Sequence, residues 1–432
     1  MKEERWLRII PVALIMYTIS YVDRTNITLA LDKDISTMVH DLAMDDRMRG
    51  LGMGIFFWGY PLLQMPGGYL ASRWSAKKFI SLCLIFWGAC AIGCGLARTF
   101  HQFAAMRFLL GMAESGVLPA TTVLLANWFP RAELARANGY WNLCQPLAVV
   151  TSAPITGKLL GWFDWHTVLI MEGALPFLFL PLWWYFISDH PREATWISSD
   201  EKEFLETTLK KEIASVQPIG KPAILPTFLK LEIPVMVVIY FLHNFQAYGC
   251  MTFFTDTLKG RAKEQNFSGF ESGILFAIPY ALTAIIMILV SRHSDKKQER
   301  RGHCALVYGM SGVSLIASLL LKQHFWISYA FLCFAIPGPF AAIAPFWAIT
   351  AETMPRYTMG LVIGLVNAIG NIGGFAGPYL TGWLSKKTGG ITLPFAMLAV
   401  GMLVAAGLCF LLPKAKMEPE VSTLAVPNAS VQ

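Results

Sequence analysis

Twelve apolar runs, split six and six around one polar stretch, limit what this 432-residue chain can fold into. They fall at 6–31, 51–71, 79–97, 103–128, 138–162, 168–188, 233–255, 271–292, 304–321, 326–352, 359–384 and 391–413. About 20 apolar residues in an α-helix cross the hydrocarbon core of a bilayer, and most of these runs reach that length. Composition points the same way. Hydrophobic residues make up 55% and charged residues 15%, against about 25% charged in a soluble domain. Mean hydropathy is +0.50. A water-soluble fold this apolar would lack polar surface, and long disorder, collagen and coiled coil are excluded as well. The expected fold is an all-α polytopic membrane protein of 12 transmembrane helices in two pseudo-symmetric six-helix bundles. The bundles are expected at 1–188 and 232–413. Residues 189–231 join them as a cytoplasmic linker, and 414–432 form a cytoplasmic tail read as disordered.

Charge sets the expected orientation. With the N-terminus inside, the connecting segments on that side carry 22 Lys and Arg and those on the other side 11. The twofold bias places both termini in the cytoplasm, although Lys259, Arg261 and Lys263 run against it. The net charge of +7 is then a property of membrane loops and calls for no nucleic-acid partner. The first run carries Asp23 and Arg24 and lacks a small-residue cleavage site, so it reads as a retained span. The eight cysteines sit almost all in apolar runs, and Cys90 and Cys94, four apart, have no acidic or His partner nearby, which favours packing over a disulfide or metal site. In the linker, Ser198 stands three residues before Glu201. Leu205, Leu209 and Ile213 then recur every four residues, which predicts an amphipathic helix on the membrane or on the inner mouths of the bundles. Pro218, Pro222 and Pro226 predict irregular chain after it.

The halves repeat each other. Pro130-Arg131 is followed by Gly139, Asn142 and Pro154, and Pro355-Arg356 by Gly364, Asn367 and Pro378. The offsets from the first proline are 9, 12 and 24 in one half and 9, 12 and 23 in the other. Lys77-Lys78 after the second run matches Arg300-Arg301 after the eighth. Duplicated bundles of this kind place a substrate site between them, near the bilayer midplane.

Charges inside the runs are the chemical signal, because each costs about 2.5–3.5 kcal/mol at the bilayer centre even on lenient scales. Asp23, Arg24, Arg107 and Glu114 stand out. Arg107 and Glu114 share a helical face two turns apart, and Tyr17, Tyr21, Arg24 and Thr28 share another. Arg24 offers a planar fork to a carboxylate. A carboxyl such as Asp23 or Glu114, balanced between burial and a neighbouring arginine, can titrate as a cavity opens and closes. Protonating it frees the arginine for a substrate anion, which couples proton movement to anion movement. Uptake needs such coupling, since an inside-negative potential opposes a monoanion by about 2.3 kcal/mol per 100 mV. The bland alternative is that these charges only clamp the first run to the fourth. From the second half, Trp347, Asn367, Asn371 and His243 are candidate substrate contacts, with interhelical glue as their competing role. Gly360, Gly364, Gly370, Gly374 and Gly377 suit close helix packing.

At this point the sequence resembles a known family. It is similar to the major facilitator superfamily and, within it, to the bacterial tartrate, phthalate, hydroxyphenylacetate and sugar-acid branch of the anion:cation symporters. The resemblance runs from about Arg8 to Pro413. It is carried by Tyr21-Val22-Asp23-Arg24-Thr25-Asn26, Phe56-Phe57-Trp58-Gly59-Tyr60, Arg107-Phe108-Leu109-Leu110-Gly111, Ala113-Glu114-Ser115-Gly116 and Trp128-Phe129-Pro130. Asp189-His190-Pro191, Ile278-Pro279-Tyr280 and Arg292-His293-Ser294-Asp295 with Glu299-Arg300-Arg301 add to it. The resemblance implies proton–anion symport, with Asp23, Glu114 and Arg107 in proton coupling. It also implies Arg24, Tyr21, Tyr60 and Gln145 at the substrate, and Arg73, Asp295, Arg300 and Arg301 in gating. One departure is visible. Where the family has an Asp before the Arg of the loop after the second run and a Gly three residues past it, this chain has Ser72 and Ser75. The second half keeps its acid, Asp295.

Other functions fit less well. Gly157-Lys158 and Gly220-Lys221 lack the remainder of a Walker A motif. There is no metal-ligand spacing or Ser-His nucleophile pattern, so no enzyme, cofactor or metal is expected. Buried charges of both signs argue against a channel, and the lack of a large output segment against a receptor. The expected function is secondary transport of a small organic acid anion into the cell with protons, in a bacterial inner membrane and as a monomer. Exchange or export of organic acids is the alternative.

Overall fold

The computed structural model describes residues 4–214, 231–261, 267–353 and 356–413. Lys263, Pro355, the prolines at 218, 222 and 226 and the tail from Lys414 lie outside the described residues, as do the side chains of Ile213, Lys259 and Arg261. Everything regular among the described residues is helical.

Among the described residues, nine helical segments are long and apolar enough to cross a membrane. Numbered by the runs above, they are span 1 (Glu4–Ala30), span 3 (Ala76–Gly95), span 4 (Phe100–Trp128), span 6 (Trp165–Phe186), span 7 (Glu232–Thr252), span 8 (Gly269–Lys297), span 9 (Arg301–Leu320), span 10 (Phe325–Ile349) and span 12 (Thr392–Cys409). The other three runs are helical too, and like spans 4, 6 and 10, which break at Gly116, Ala174 and Ile336, they are interrupted. Span 2 is built from Asp46–Gly54, Phe56–Gly59 and Gln64–Arg73, span 5 from Arg131–Asn142 and Cys144–Leu160, and span 11 from Arg356–Gly370 and Ile372–Thr388. Pro61 interrupts span 2, Pro146 follows the break in span 5, and Asn371 with its flanking glycines marks the break in span 11. Polar side chains start several of these helices. Asp45, Ser75, Thr99 and Asp164 each accept a backbone N–H at a helix start, and Ser268 with Glu271 forms a capping box.

Arg5 at the start of span 1 pairs with Glu133 at the start of span 5 (2.7 Å) and with Glu201 of the linker helix Ser199–Ala214. These elements therefore share one face of the molecule, here the near face. Glu201 is spent on Arg5, so only the Ser198 half of the expected capping box forms. Leu205 is buried in the core of spans 1 to 6, which seats the linker helix on the first bundle. The bundles meet where span 5 packs along span 8 and span 2 along span 11. That seam closes at the far face. The carbonyl oxygen of Gly269 stands where a Cβ on Gly157 would be, and a Cβ on Gly273 would lie 2.8 Å from Pro154 Cα. Ion pairs across the seam join Arg49 to Asp256 and Lys386 to Asp45, both at 2.7 Å. Among the described residues, the near halves of spans 5 and 11 pack mainly within their own bundles, with the Asn367–Gln64 hydrogen bond crossing between them. Gly139 and Gly364, equivalent in the repeat, have no neighbour within 4 Å of a would-be Cβ. The molecule is sealed at the far face and parted at the near face.

Candidate functional site

Where the bundles diverge, spans 1, 2, 4, 5, 7, 10 and 11 enclose a cavity of about 60 Å³. Spans 2, 5 and 11 contribute to its wall at or beside breaks in their helices: Tyr60 from span 2, Gln145 from span 5 and Asn371 from span 11. Broken helices are tolerated at membrane depth where they line such a cavity, because polar groups there find partners.

Arg24 forms the charged part of the wall. Its Nη2 donates to Glu114 Oε2 at 2.8 Å, and Ser20 Oγ donates to the same oxygen at 2.6 Å. The guanidinium lies over the rings of Tyr21 (4.4 Å), Phe56 (4.9 Å) and Tyr60 (5.2 Å). Arg24 and Glu114 are almost wholly buried, and Arg24 Nε and Glu114 Oε1 have no protein partner. Glu114 stands behind Arg24 and does not line the cavity.

Asp23 and Arg107 lie deeper within the first bundle. Asp23 Oδ2 accepts from Trp87 Nε1 at 2.7 Å, while Arg107 Nη1 donates to the main-chain oxygen of Asp23 at 3.1 Å. Arg107 therefore meets Asp23 through its backbone, because span 1 turns the Asp23 carboxyl toward span 3. Tyr21, Tyr60, Gln145, Asn367, Asn371 and His243 all line the cavity. Asn371 Nδ2 donates to Asn367 Oδ1 (3.3 Å), and Asn367 Nδ2 to Gln64 Oε1 of the other bundle (3.0 Å). His243 Nδ1 lies 3.2 Å from the Tyr308 hydroxyl. Trp347 is not in the wall. It packs behind Tyr240 at 5.1 Å, one layer back.

The gating candidates sit away from the cavity. Arg300 pairs with Asp295 at 2.5 Å within the loop after span 8, and Arg301 donates to the carbonyls of Phe410 and Leu412. Arg73 is exposed beside Tyr69. Ser75 caps span 3 and donates to Asp189, which also accepts from Lys77 N at 2.9 Å. An acid from the central stretch thus serves the loop whose own Asp is replaced by Ser72.

Several residues of the region are missing from the sequence reading. Gln64, Tyr240 and Tyr248 had no distinguishing signal, since Tyr and Gln occur throughout apolar runs. Glu172 did have one: it is an acid inside span 6. It is buried, accepts from Thr156 Oγ1 at 2.5 Å, and has no ion-pair partner among the described residues.

With this arrangement in place, comparison with known proteins is decisive. The family described as Major Facilitator Superfamily matches residues 13–378. The chain belongs to that superfamily. It is a multi-pass membrane transporter and not an enzyme. A protein of Agrobacterium vitis named "Putative tartrate transporter" is 28% identical over 93% of this chain and 90% of its own length. A "Quinolone resistance transporter" of Acinetobacter baumannii is 27% identical over 92% of this chain and 91% of its own. Among solved structures, a bacterial homologue of the human lysosomal transporter Spinster, inward-facing and occupied, superposes with a TM-score of 0.73. It covers 94% of this chain and 96% of its own at 18% identity, a likeness of fold.

Proposed function

We propose that this transporter carries a small organic acid anion into the cell together with protons, by alternating access. The observation that carries the reading is the buried Arg24–Glu114 pair in and behind the cavity wall. A buried ion pair is a poor source of stability, because desolvation offsets most of its attraction. It is well suited to exchange, since a proton on Glu114 leaves Arg24 unbalanced and a carboxylate restores the balance. Asp23 and Arg107 form the layer behind it. Tyr21, Tyr60, Gln145 and the Asn367–Asn371 pair orient the rest of the anion. The relative named for tartrate supports an organic acid. In this reading the near face is cytoplasmic, the membrane is the bacterial inner membrane, and the protein acts as a monomer. Residues 1–188 and 232–413 rock as two bodies about 189–231.

The test is proton movement into proteoliposomes on adding organic acids, for wild type, Arg24→Ala and Glu114→Gln. A proton signal for an acid, lost in both variants, supports symport. Counterflow of an acid without proton movement overturns it in favour of exchange. The relative named for quinolone resistance favours export as the second reading, which predicts outward substrate movement driven by an inward proton gradient.

A further inference from the structure

The cavity has little to offer a second carboxylate or a chain of hydroxyls. Arg24 is the one Lys or Arg among its described lining residues. Protonating Glu114 releases one positive charge, which one carboxylate neutralises. A second carboxylate in the same closed space would be buried without a cation. The amide groups are largely committed. Asn244 Nδ2 donates to the carbonyls of Tyr240 (3.1 Å) and Gly370 (3.2 Å). Asn367 is held between Gln64 and Asn371, and the Tyr17 and Tyr60 hydroxyls face each other at 3.3 Å. A polyol acid would have to break several of these bonds to satisfy its hydroxyls, and a site that leaves polar groups unpaired discriminates against its ligand.

Ring faces are what the cavity holds in excess. Phe57 of one bundle meets Tyr248 of the other at 4.3 Å between centroids. Tyr240 stacks on His243 at 5.1 Å, and Phe340 closes the same wall. Tyr21 and Tyr60 flank the guanidinium. A planar ring can insert along such faces by offset or edge-on packing.

We propose that the transported anion is an aromatic or heteroaromatic monocarboxylate. Its single carboxylate lies on Arg24, and its ring lies among Phe57, Tyr240, Tyr248 and Phe340. This deepens the anion-transport reading and rests on it.

Binding to the purified full-length protein tests the assignment, read by ligand-induced thermal shift and by counterflow in proteoliposomes. The probes are benzoate, 4-hydroxybenzoate, phthalate, tartrate and gluconate. The expected result is that benzoate or 4-hydroxybenzoate binds at least tenfold more tightly than tartrate, gluconate or the dicarboxylate phthalate. Tyr248→Leu is expected to weaken the aromatic acid about fivefold to tenfold, in line with an aromatic contact. Preference for tartrate or gluconate overturns the aromatic assignment and leaves anion transport standing. Phthalate binding as tightly as benzoate overturns the single-charge argument. If no acid binds and Arg24→Ala changes nothing, the anion reading itself fails. The wild-type ranking decides the matter even where Tyr248→Leu fails to fold.

Discussion

Gly273→Ala should tip the transporter toward the state open at the far face. In the present state the new Cβ would sit 2.8 Å from both Ala153 C and Pro154 Cα. Carbon atoms in contact prefer about 3.5–4.0 Å, so the overlap is at least about 0.7 Å against main chain that has no rotamer to change. Overpacking of this kind costs about 1–3 kcal/mol. Opening the far face relieves it, so the cost appears as a shift of about 5- to 150-fold in the ratio of the two states. Gly364→Ala should do the reverse. Its Cβ meets nothing in the present state, but in the repeat Gly364 stands with Gly139 on the near-face stretch that must close when the far face opens. Spin labels on His40→Cys and Lys387→Cys, both exposed on the far face, would report the separation. A longer distance population in Gly273→Ala and a shorter one in Gly364→Ala is expected. Equal distributions in wild type and both variants would refute the seam as the moving element.

Three further outcomes follow from particular contacts. Burial raises the Asp256 carboxyl to about 6 against the pull of Arg49, while Lys386 and the Met48 N–H hold Asp45 below its usual value despite its partial burial. The closed far face thus binds a proton at Asp256 more tightly than an open one would. Lowering pH through 6 should therefore favour closure, and raising it should favour opening. Two units amount to about 3 kcal/mol at most, and about 1 kcal/mol after screening of this 26% exposed side chain. Asp256→Asn should flatten the pH dependence of the label distances, and an unchanged profile would contradict the assignment. Arg5→Ala would leave Glu201 buried without its partner at the near face, an expected loss of about 3–5 kcal/mol that thermal unfolding would show as a clear drop in Tm. Glu172→Gln keeps the Thr156 bond, and no cation pairs with Glu172 among the described residues, so its Tm should stay within a few degrees of wild type. A large loss there would mean that Glu172 is held as an anion.

The fold was largely legible because membrane crossing leaves a coarse, additive record. Twelve runs, a repeat at Pro130 and Pro355, and a doubled positive bias on one side all survive without knowledge of any contact. Arg24 and Glu114 were legible for the same reason: charge inside an apolar run demands an explanation. The breaks in spans 2, 5 and 11 were not. Hydropathy sums over Tyr60-Pro61, Leu143 and Asn371 without showing that the helix is interrupted there, although each break has a polar side chain of the cavity wall at or beside it. Cross-bundle register was equally hidden, so Gln64 as a partner of Asn367 and Tyr248 as a partner of Phe57 appear only once the bundles are packed. Trp347 shows the converse error. It packs against Tyr240 and is not among the residues that line the cavity.

The central claim is that a proton on Glu114 releases Arg24 to the substrate. Glu114→Gln mimics the protonated acid permanently, so it separates binding from coupling. The measurement is counterflow and proton-driven accumulation of the same acid in the same proteoliposomes. The account predicts that Glu114→Gln retains counterflow and no longer accumulates the acid against its gradient when a pH gradient is imposed. Continued uphill accumulation in Glu114→Gln would contradict it.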